Sequence, residues 1–246
     1  MKPFLLLSSR AEDVAADGEQ AAIARFGGLH AGELERIRME AASFLPVDLD
    51  RYAGVIVGGS PFDASTPEDQ KSPVQRRVEA EVSTLLDEIV DRDLPFFGAC
   101  YGVGTLGVHQ GAVIDRTYAE PIGAVTISLT DAGREDPLLE GLPESFQAFV
   151  GHKEACRVLP PDAVLLASSP TCPVQMFRVR QNLYATQFHP ELDVEGITTR
   201  IGVYRDYGYY EPGEYDDVLA RVRHADVWAP HRILEAFVQR YRAGAR

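Results

Sequence analysis

The 246-residue sequence predicts an α/β fold in which βα units surround a mainly parallel sheet. The first observation is that short apolar runs alternate with stretches whose apolar residues have helical spacing. The second is an ordinary globular composition, in which 45% of the residues are hydrophobic and 25% are charged. This composition argues against a disordered chain, a collagen-like repeat and a coiled coil.

The first half of the chain predicts strands and helices in alternation. Residues 4–7 and 54–57 are short apolar runs that indicate buried strands, and the second is rich in β-branched residues. Residues 73–90 begin with a proline and continue at helical spacing, which predicts a long helix. The other elements predicted in this half are a helix over 18–26, strands over 34–39 and 94–97, and a helix over 101–110.

From residue 122 onward the pattern changes towards strands, which we expect over 124–129, 146–150, 164–167, 174–179 and 183–188. Beyond Asp193 the tail is expected to be helical and to end in a helix over 233–241. The segment 204–210 contains four tyrosines, and its pattern fits both a loop and a helix. We expect one domain over 1–246, with a core over about 4–192 and a helical extension over about 193–246.

The charge and the cysteines exclude several classes of protein. With 24 Lys and Arg against 37 Asp and Glu, the net charge is −13, which disfavours binding to nucleic acid or to an anionic membrane. The three cysteines have no metal-type spacing and fit a reducing compartment better than a disulfide framework. The apolar run at the N-terminus is too short for a signal peptide. We therefore expect a cytoplasmic protein with no metal and no cofactor.

The segment Gly98-Ala99-Cys100-Tyr101-Gly102 is the most informative one. It follows a predicted strand and precedes a predicted helix, like the serine elbow of G-x-S-x-G hydrolases. A thiol at this turn lies at a helix N-terminus, which stabilises thiolate, and the N–H of Tyr101 can donate to an oxyanion. The alternative is that Cys100 is a small buried residue in a tight turn. Cys156 and Cys172 lack this setting and are expected to be structural.

A candidate base follows the last predicted strand, in Gln187-Phe188-His189-Pro190-Glu191. Pro190 favours extended backbone at His189, and residues two apart in extended backbone project to the same side. Glu191 can then accept from one ring nitrogen of His189 while the other faces the thiol. The alternative is a surface His-Pro turn with a solvated glutamate.

A third motif, Gly58-Gly59-Ser60-Pro61, ends the strand over 54–57. Glycines at this place leave backbone N–H groups free to point into a site, so the loop can supply a second oxyanion donor. The alternative is a plain turn. It is not a phosphate loop, because neither of the usual glycine-rich phosphate motifs is present.

With these three motifs in this order, the chain resembles class I glutamine amidotransferase domains over about residues 4–192, and is most similar to the stand-alone GMP-synthase-like members. The resemblance implies a flavodoxin-like α/β fold with helices on both faces. It also implies a triad in which Cys100 is the nucleophile, His189 the base and acid, and Glu191 the residue that orients His189. The family's Gly-Gly-Pro aligns with Gly59-Ser60-Pro61, so the second oxyanion donor falls on the N–H of Gly59 or Ser60.

Two positions bear on the substrate. The family usually carries a glutamine four residues after the nucleophile, where it helps to hold the substrate, but this chain has Gly104 there. His152, in Val150-Gly151-His152-Lys153-Glu154, resembles the family's Ser-His-x-Asp segment near the substrate entrance, and the alternative is an ordinary loop histidine. Lys153 and Arg180 are further candidates, as positive charges for a substrate carboxylate.

Three hypotheses of function follow. The first is an amidohydrolase that cleaves the γ-amide of glutamine through a γ-glutamyl thioester and releases ammonia for a separate synthase. The second is a hydrolase of γ-glutamyl peptides or conjugates with the same triad, and Gly104 favours it. The third is a non-catalytic binding protein on this fold, against which an intact Cys100, His189 and Glu191 argue. No ATP-pyrophosphatase phosphate loop follows Glu191, so we do not expect the chain to make GMP by itself.

Overall fold

The computed structural model describes residues 2–242, and its centre is a nine-stranded sheet in the order β2-β1-β3-β4-β11-β10-β9-β6-β7. A separate antiparallel pair, β5-β8, lies outside this sheet. The strands are β1 Phe4–Ser8, β2 Leu34–Arg38, β3 Gly54–Val57, β4 Phe96–Ala99, β5 Val113–Asp115, β6 Glu120–Leu129, β7 Ser145–His152, β8 Ala155–Val158, β9 Val164–Ser168, β10 Met176–Val179 and β11 Leu183–Thr186.

The helices between residues 2 and 242 connect these strands or follow the last of them. They are α1 Asp13–Phe26, α2 Pro73–Asp91, α3 Tyr101–His109, α4 Asp131–Glu135, α5 Val194–Val203, α6 Tyr215–Val222 and α7 Trp228–Arg242. Helix α2 begins as the sequence predicts, with Pro73 in its first turn and the Ser72 hydroxyl accepting from the N–H of Gln75. None of the helices in this part of the chain is both long and apolar enough to cross a membrane.

Two different arrangements of strands meet in the main sheet. The neighbours β2, β1, β3, β4 and β11 are parallel, whereas β10, β9, β6 and β7 continue the sheet through antiparallel pairs. Two successive reversals return β9 to the direction of β11, and two more do the same for β7. The carboxyl ends of β3, β4, β11 and β7 therefore lie at one edge of the sheet.

Alternate residues of the parallel strands point to opposite faces, and helices cover both faces. Phe4 and Leu6 of β1 pack in one apolar cluster with Ile23 of α1 and with the buried face of α7. Leu5 and Leu7 pack in a second cluster with α2 and α3. A third cluster joins α5 and α6 to Ile122 and Phe149 of the antiparallel half. The predicted α/β sheet with helices on both faces and a helical tail is confirmed.

The differences from the predicted elements have physical causes. Helix α1 begins at Asp13 rather than at residue 18, because the buried residues of its first turn are two small alanines, which give a weak apolar pattern. Strand β11 ends at Thr186, where its pairing with Ala99 of β4 ends. The sequence does not predict the short elements β5, β8 and α4, since three to five residues give too little pattern. The segment 204–210 forms turns and bends rather than a helix.

Candidate active site

The three sequence motifs lie at the carboxyl ends of adjacent strands. In the parallel sheet, β4 lies between β3 and β11, with Val57 opposite Gly98 and Thr186 opposite Ala99. The glycine loop after β3, the turn after β4 and the histidine segment after β11 therefore meet at one edge. This is the place where open parallel sheets form their sites.

Cys100 has a strained backbone conformation. Its φ of 53° and ψ of −83° are unusual for a residue with a side chain, and its N–H donates to the carbonyl of Thr186 at 2.7 Å. A Cβ on Gly98 would lie 2.6 Å from the Cα of Gly102, so strand and helix approach too closely for a side chain there. The elbow predicted from the sequence is therefore present in the backbone.

The protonation of Cys100 differs from the expectation of a stabilised thiolate. Burial raises the pKa of the Cys100 thiol to about 12, although the nearby Arg10 and Arg200 act in the opposite direction. Burial disfavours the thiolate because it removes the charged form from water, and Glu191 and Glu154 act in the same direction. The thiol is therefore protonated at neutral pH and needs a base to become a nucleophile.

His189 and Glu191 form a buried hydrogen-bonded pair. The Nδ1 of His189 lies 2.9 Å from the Oε1 of Glu191, and the backbone N–H of His189 donates to the carbonyl of Phe149. Burial lowers the pKa of His189 below its ordinary value, with Glu191 opposing. Burial alone would raise the pKa of Glu191, but His189 and Arg200 bring it well below its usual range. At neutral pH the pair is a neutral imidazole beside a carboxylate.

Arg200 of α5 shares both members of this pair. One of its nitrogens, Nη2, lies 2.9 Å from the Oε1 of Glu191, and Nη1 lies 3.0 Å from the Nδ1 of His189. Because a guanidinium only donates, the Nδ1 of His189 either donates to Glu191 or accepts from Arg200. The first arrangement leaves Nε2 unprotonated and able to act as a base, whereas the second does not.

Arg200 belongs to a buried network of charged side chains that includes Glu19 and Arg10. Glu19 of α1 is fully buried and accepts from Ser8, from Arg10 at 2.8 Å and from Arg200 at 3.3 Å. Arg10 in turn donates to the hydroxyl of Tyr204 at 2.9 Å. Sequence reasoning missed these residues. The one signal that could have found them is that Ser8 and Arg10 follow β1, at the same sheet edge as the motifs.

The candidate oxyanion donors lie beside the thiol and the imidazole. A Cβ on Gly59 would lie 2.6 Å from the Nη2 of Arg10 and 2.9 Å from the Cε1 of His189, so the loop is packed directly against the histidine. Ser60 lines the cavities next to Cys100, and Tyr101 is the first residue of α3. The N–H of a first helical residue has no partner within its helix. The oxyanion role of Gly59, Ser60 and Tyr101 stays a prediction.

His152 is the last residue of β7 and is buried, so it is not a loop histidine. Its Nδ1 lies 2.9 Å from the carbonyl of Glu154 and its Nε2 lies 2.8 Å from the Oε2 of Glu120. Both partners are oxygen acceptors, so each ring nitrogen faces an oxygen atom of the protein. His152 lines the cavity next to Cys100, but neither ring nitrogen is free for a substrate in this structure.

One group of side chains between residues 2 and 242 has the composition of a metal site. Glu120, His152 and Cys172 are all buried and place one ligand atom each within 4.8 Å of one another. The Glu120 carboxylate, however, accepts from His152, from Gln175 at 2.7 Å and from Thr171. A metal ion would have to replace these hydrogen bonds, so the group is better described as a hydrogen-bonded cluster.

Two small cavities adjoin Cys100, and the tyrosine-rich tail covers both. Their volumes are about 20 and 40 Å³, and Tyr209 lines both of them. Lys153 donates to the carbonyl of Tyr207 at 2.7 Å, and its Nζ lies 4.5 Å from the centre of the Tyr209 ring. Each cavity has room for one or a few waters, so a larger substrate requires this segment to move.

Arg180, the second residue expected to bring positive charge to the substrate, lies at the opposite edge of the sheet. Arg180 belongs to the turn between β10 and β11, at the end of β11 opposite to His189. Its Nη1 is 3.5 Å from the carbonyl of Asp91. The expectation that Arg180 contacts a substrate carboxylate is therefore wrong, because a two-stranded turn places it at the other edge of the sheet.

Comparison with known sequences gives a family and several partial relatives. The family profile described as glutamine amidotransferase class-I matches residues 30–200. A GMP synthase [glutamine-hydrolyzing] component from Thermoplasma volcanium, named as one subunit of that enzyme, is 34% identical over 114 residues, which cover 46% of this chain and 55% of that protein. The GMP synthase [glutamine-hydrolyzing] of Porphyromonas gingivalis is 28% identical over 200 residues, which cover 80% of this chain and 34% of that protein. The chain thus spans about half or less of these relatives.

Solved structures share the whole fold at lower sequence identity. A glutamine amidotransferase from Thermotoga maritima superimposes with a TM-score of 0.77 at 21% identity, covering 98% of both chains. The structure of SMU.1228c superimposes with a TM-score of 0.75 at 24% identity, covering 98% of this chain and all of the other. These likenesses show the fold alone.

Proposed function

The chain belongs to the class-I glutamine amidotransferase family, and on this premise we propose that it is a cysteine amidohydrolase acting on the γ-amide of glutamine or of a γ-glutamyl compound. The observation that carries the proposal is that Cys100, on a strained elbow, and His189, bonded to Glu191, line one cavity. Nucleophile, base and orienting carboxylate are the parts that thiol acyl transfer needs.

In the proposed first step, the Nε2 of His189 takes the proton of the Cys100 thiol while Sγ attacks the γ-carbonyl carbon. The resulting oxyanion accepts hydrogen bonds from the N–H of Tyr101 and from the N–H of Gly59 or Ser60. Losing one such donor costs about 10²–10³ in rate in comparable acyl transfer. The imidazolium then gives its proton to the amide nitrogen, and the C–N bond breaks to release ammonia or an amine.

In the second step, His189 removes a proton from water, which attacks the γ-glutamyl thioester. Collapse of this intermediate releases the γ-carboxylate and returns the proton to Cys100. Glu191 reacts with neither substrate nor water in this scheme. It holds the Nδ1 proton of His189 and stabilises the imidazolium that forms in each half-reaction.

The two candidate reactions differ in what happens to the nitrogen that leaves the γ-carbonyl group. Relatives of this chain include a protein that is named as one subunit of a GMP synthase, which supports delivery of ammonia to a separate synthase. Gly104 supports the second candidate, a hydrolase of γ-glutamyl peptides or conjugates, because it lacks the side chain with which the family usually holds glutamine. The two candidates share the triad and differ in the leaving group.

The test is release of ammonia from L-glutamine and of glutamate from a γ-glutamyl dipeptide, each with Cys100→Ala as the matched blank. We expect turnover of at least one substrate by the wild-type protein and none by Cys100→Ala. Cys156→Ser is the control for a generic thiol effect, since Cys156 lies buried in β8. Activity above a few per cent in Cys100→Ala, or equal loss in Cys156→Ser, would contradict the assignment.

A further inference from the structure

The space above Gly104 is occupied by a carboxylate. A Cβ on Gly104 would lie 2.9 Å from the Oε1 of Glu154 and 3.0 Å from the Cβ of Ala64. Both distances are shorter than ordinary carbon contacts, so no side chain at position 104 fits without displacing Glu154. Glu154 also follows His152 by two residues, where the family's Ser-His-x-Asp segment has the shorter aspartate. The loss of a side chain at 104 and the longer acid at 154 thus compensate each other in volume.

Glu154 is held in place and faces the thiol cavity. It is 8% exposed, and its Oε1 and Oε2 accept from the N–H groups of Ala64 and Ser65 at 2.8 and 2.6 Å. A carboxylate can accept about four hydrogen bonds, so these two leave capacity for a ligand. Glu154 lines the same cavity as Cys100.

A second acceptor in this cavity has no partner. Gln187 is 2% exposed, and its side-chain Oε1 makes no hydrogen bond with any residue between 2 and 242. Its Nε2 lies 4.0 Å from the Sγ of Cys100, and its side chain lines the same cavity as Glu154. Buried polar atoms are nearly always paired, so an unpaired acceptor beside the nucleophile marks a place for a donor from the substrate.

We propose that Glu154 and Gln187 bind the α-ammonium group of a γ-glutamyl substrate and so replace the missing side chain at position 104. This inference rests on the proposed function. An ammonium group offers three donors and a positive charge, which match one carboxylate and one amide oxygen. Asp63 adds a second carboxylate to the same wall. Lys153, also on this wall, donates to the carbonyl of Tyr207 and is engaged there.

The experiment compares two affinity labels that differ only in the α-ammonium group. The first is the chloromethyl ketone in which CH2Cl replaces the amide nitrogen of L-glutamine, and the second is its deamino analogue. In both, the Sγ of Cys100 displaces chloride and forms a thioether, so labelling is followed by mass without turnover. We expect the wild-type protein to prefer the first label by about tenfold or more, the range of a charged hydrogen bond.

Substitutions distinguish two roles of Glu154, binding of the substrate's ammonium group and support of the loop at Ala64 and Ser65. Glu154→Gln should reduce the preference at least several-fold, whereas Glu154→Asp, which keeps the charge, should retain most of it. Gln187→Leu should also reduce it, by a smaller factor. If Glu154 only holds the loop at Ala64 and Ser65, both labels will slow by the same factor and the ratio will not change. Melting temperatures of the variants show whether each has folded.

The possible outcomes distinguish failure of the ammonium site from failure of the proposed γ-glutamyl chemistry. Equal labelling of the wild-type protein by both reagents would overturn the ammonium site while leaving Cys100 as the nucleophile. A preference that survives in both Glu154→Gln and Gln187→Leu would also overturn it. Failure of both reagents to label Cys100, while iodoacetamide labels it, would instead count against the proposed γ-glutamyl chemistry.

Discussion

The two ends of the thiol cavity are built in different ways. At the reaction end, Cys100 and His189 follow adjacent parallel strands, and buried ion pairs join Arg200 to Glu191 and to Glu19. At the substrate end, the wall consists of segments that follow β3 and β7, of the start of α3 with Gly104, and of the tail residue Tyr209. The reaction end matches the family's motifs, and the substrate end departs from them at Gly104. The sheet thus fixes the positions of the proposed catalytic residues, while the proposed substrate wall also draws on segments outside the sheet.

The largest effect should come from His189→Asn. Asparagine cannot accept the thiol proton, and Cys100 with a pKa of about 12 has almost no thiolate of its own at neutral pH. Loss of the base in a comparable triad costs about 10⁶ in kcat. Rapid-quench measurement of acyl-enzyme formation gives the rate. Unchanged alkylation of Cys100 by iodoacetamide in this variant would contradict the role of His189 as base.

Glu191→Gln should cost less, about 10⁴ in kcat, because in the proposed mechanism Glu191 orients His189 and stabilises charge without reacting. The neutral amide is also a weaker acceptor for the Nδ1 proton of His189, while Arg200 still donates towards Nδ1. This favours the tautomer that is protonated at Nε2, which cannot act as the base. Steady-state kinetics of the purified variant measures the loss. KM should change little, since the substitution does not alter the substrate end. A loss equal to that of His189→Asn would contradict a purely orienting role for Glu191.

The pH profile of kcat/KM tests the reaction end of the cavity, at His189 and Glu191, without a substitution. Because burial lowers the pKa of His189, the imidazole stays neutral to lower pH than an exposed histidine. Activity should therefore be full at neutral pH and fall about tenfold per pH unit only below an apparent pKa that lies under 6.5. Glu191→Gln removes the carboxylate that opposes this lowering and should move the acid limb to still lower pH. An acid limb above pH 7 would contradict the neutral resting pair.

The reaction end could be predicted from the sequence because each of its parts leaves a local signature. Glycines on both sides of Cys100 and the proline after His189 report backbone conformation directly, and strand order then brings the motifs together. Arg200 and Glu19 could not be predicted. They are separated from each other by 181 positions in the chain, and nothing near either residue indicates that they form a buried ion pair.

The substrate end could be predicted only in part. The sequence shows Gly104 as a departure from the family pattern, but what fills its space depends on packing between α3 and the segment after β7. It also points to His152 and not to the buried partner of its ring, since Glu120 lies 32 residues away. The helix N-terminus alone predicts an acidic thiol at Cys100. Burial is a property of the whole fold, and it reverses that expectation.

A smaller effect is expected from Gly104→Ala. The new Cβ would lie 2.9 Å from the Oε1 of Glu154 and must push the carboxylate away from the cavity. KM for the γ-glutamyl substrate should rise about tenfold, as for loss of one charged hydrogen bond, while the pH midpoint stays unchanged. Glu154→Asp in the same chain shortens the acid by one methylene and should recover part of the loss. Additive effects in this double-mutant cycle would show that the two positions do not share the space.

The smallest effect is expected from Tyr209→Ala, which opens the substrate end without touching the triad. Tyr209 lines both cavities beside Cys100, and neither cavity exceeds about 40 Å³. Removing the ring should accelerate alkylation of Cys100 by iodoacetamide a few-fold, because access and not protonation changes. Tyr207→Ala is the matched control, since Tyr207 lies on the same segment, lines neither cavity and is 40% exposed. Equal acceleration in both variants would mean that the whole segment loosens, and that Tyr209 itself does not close the site.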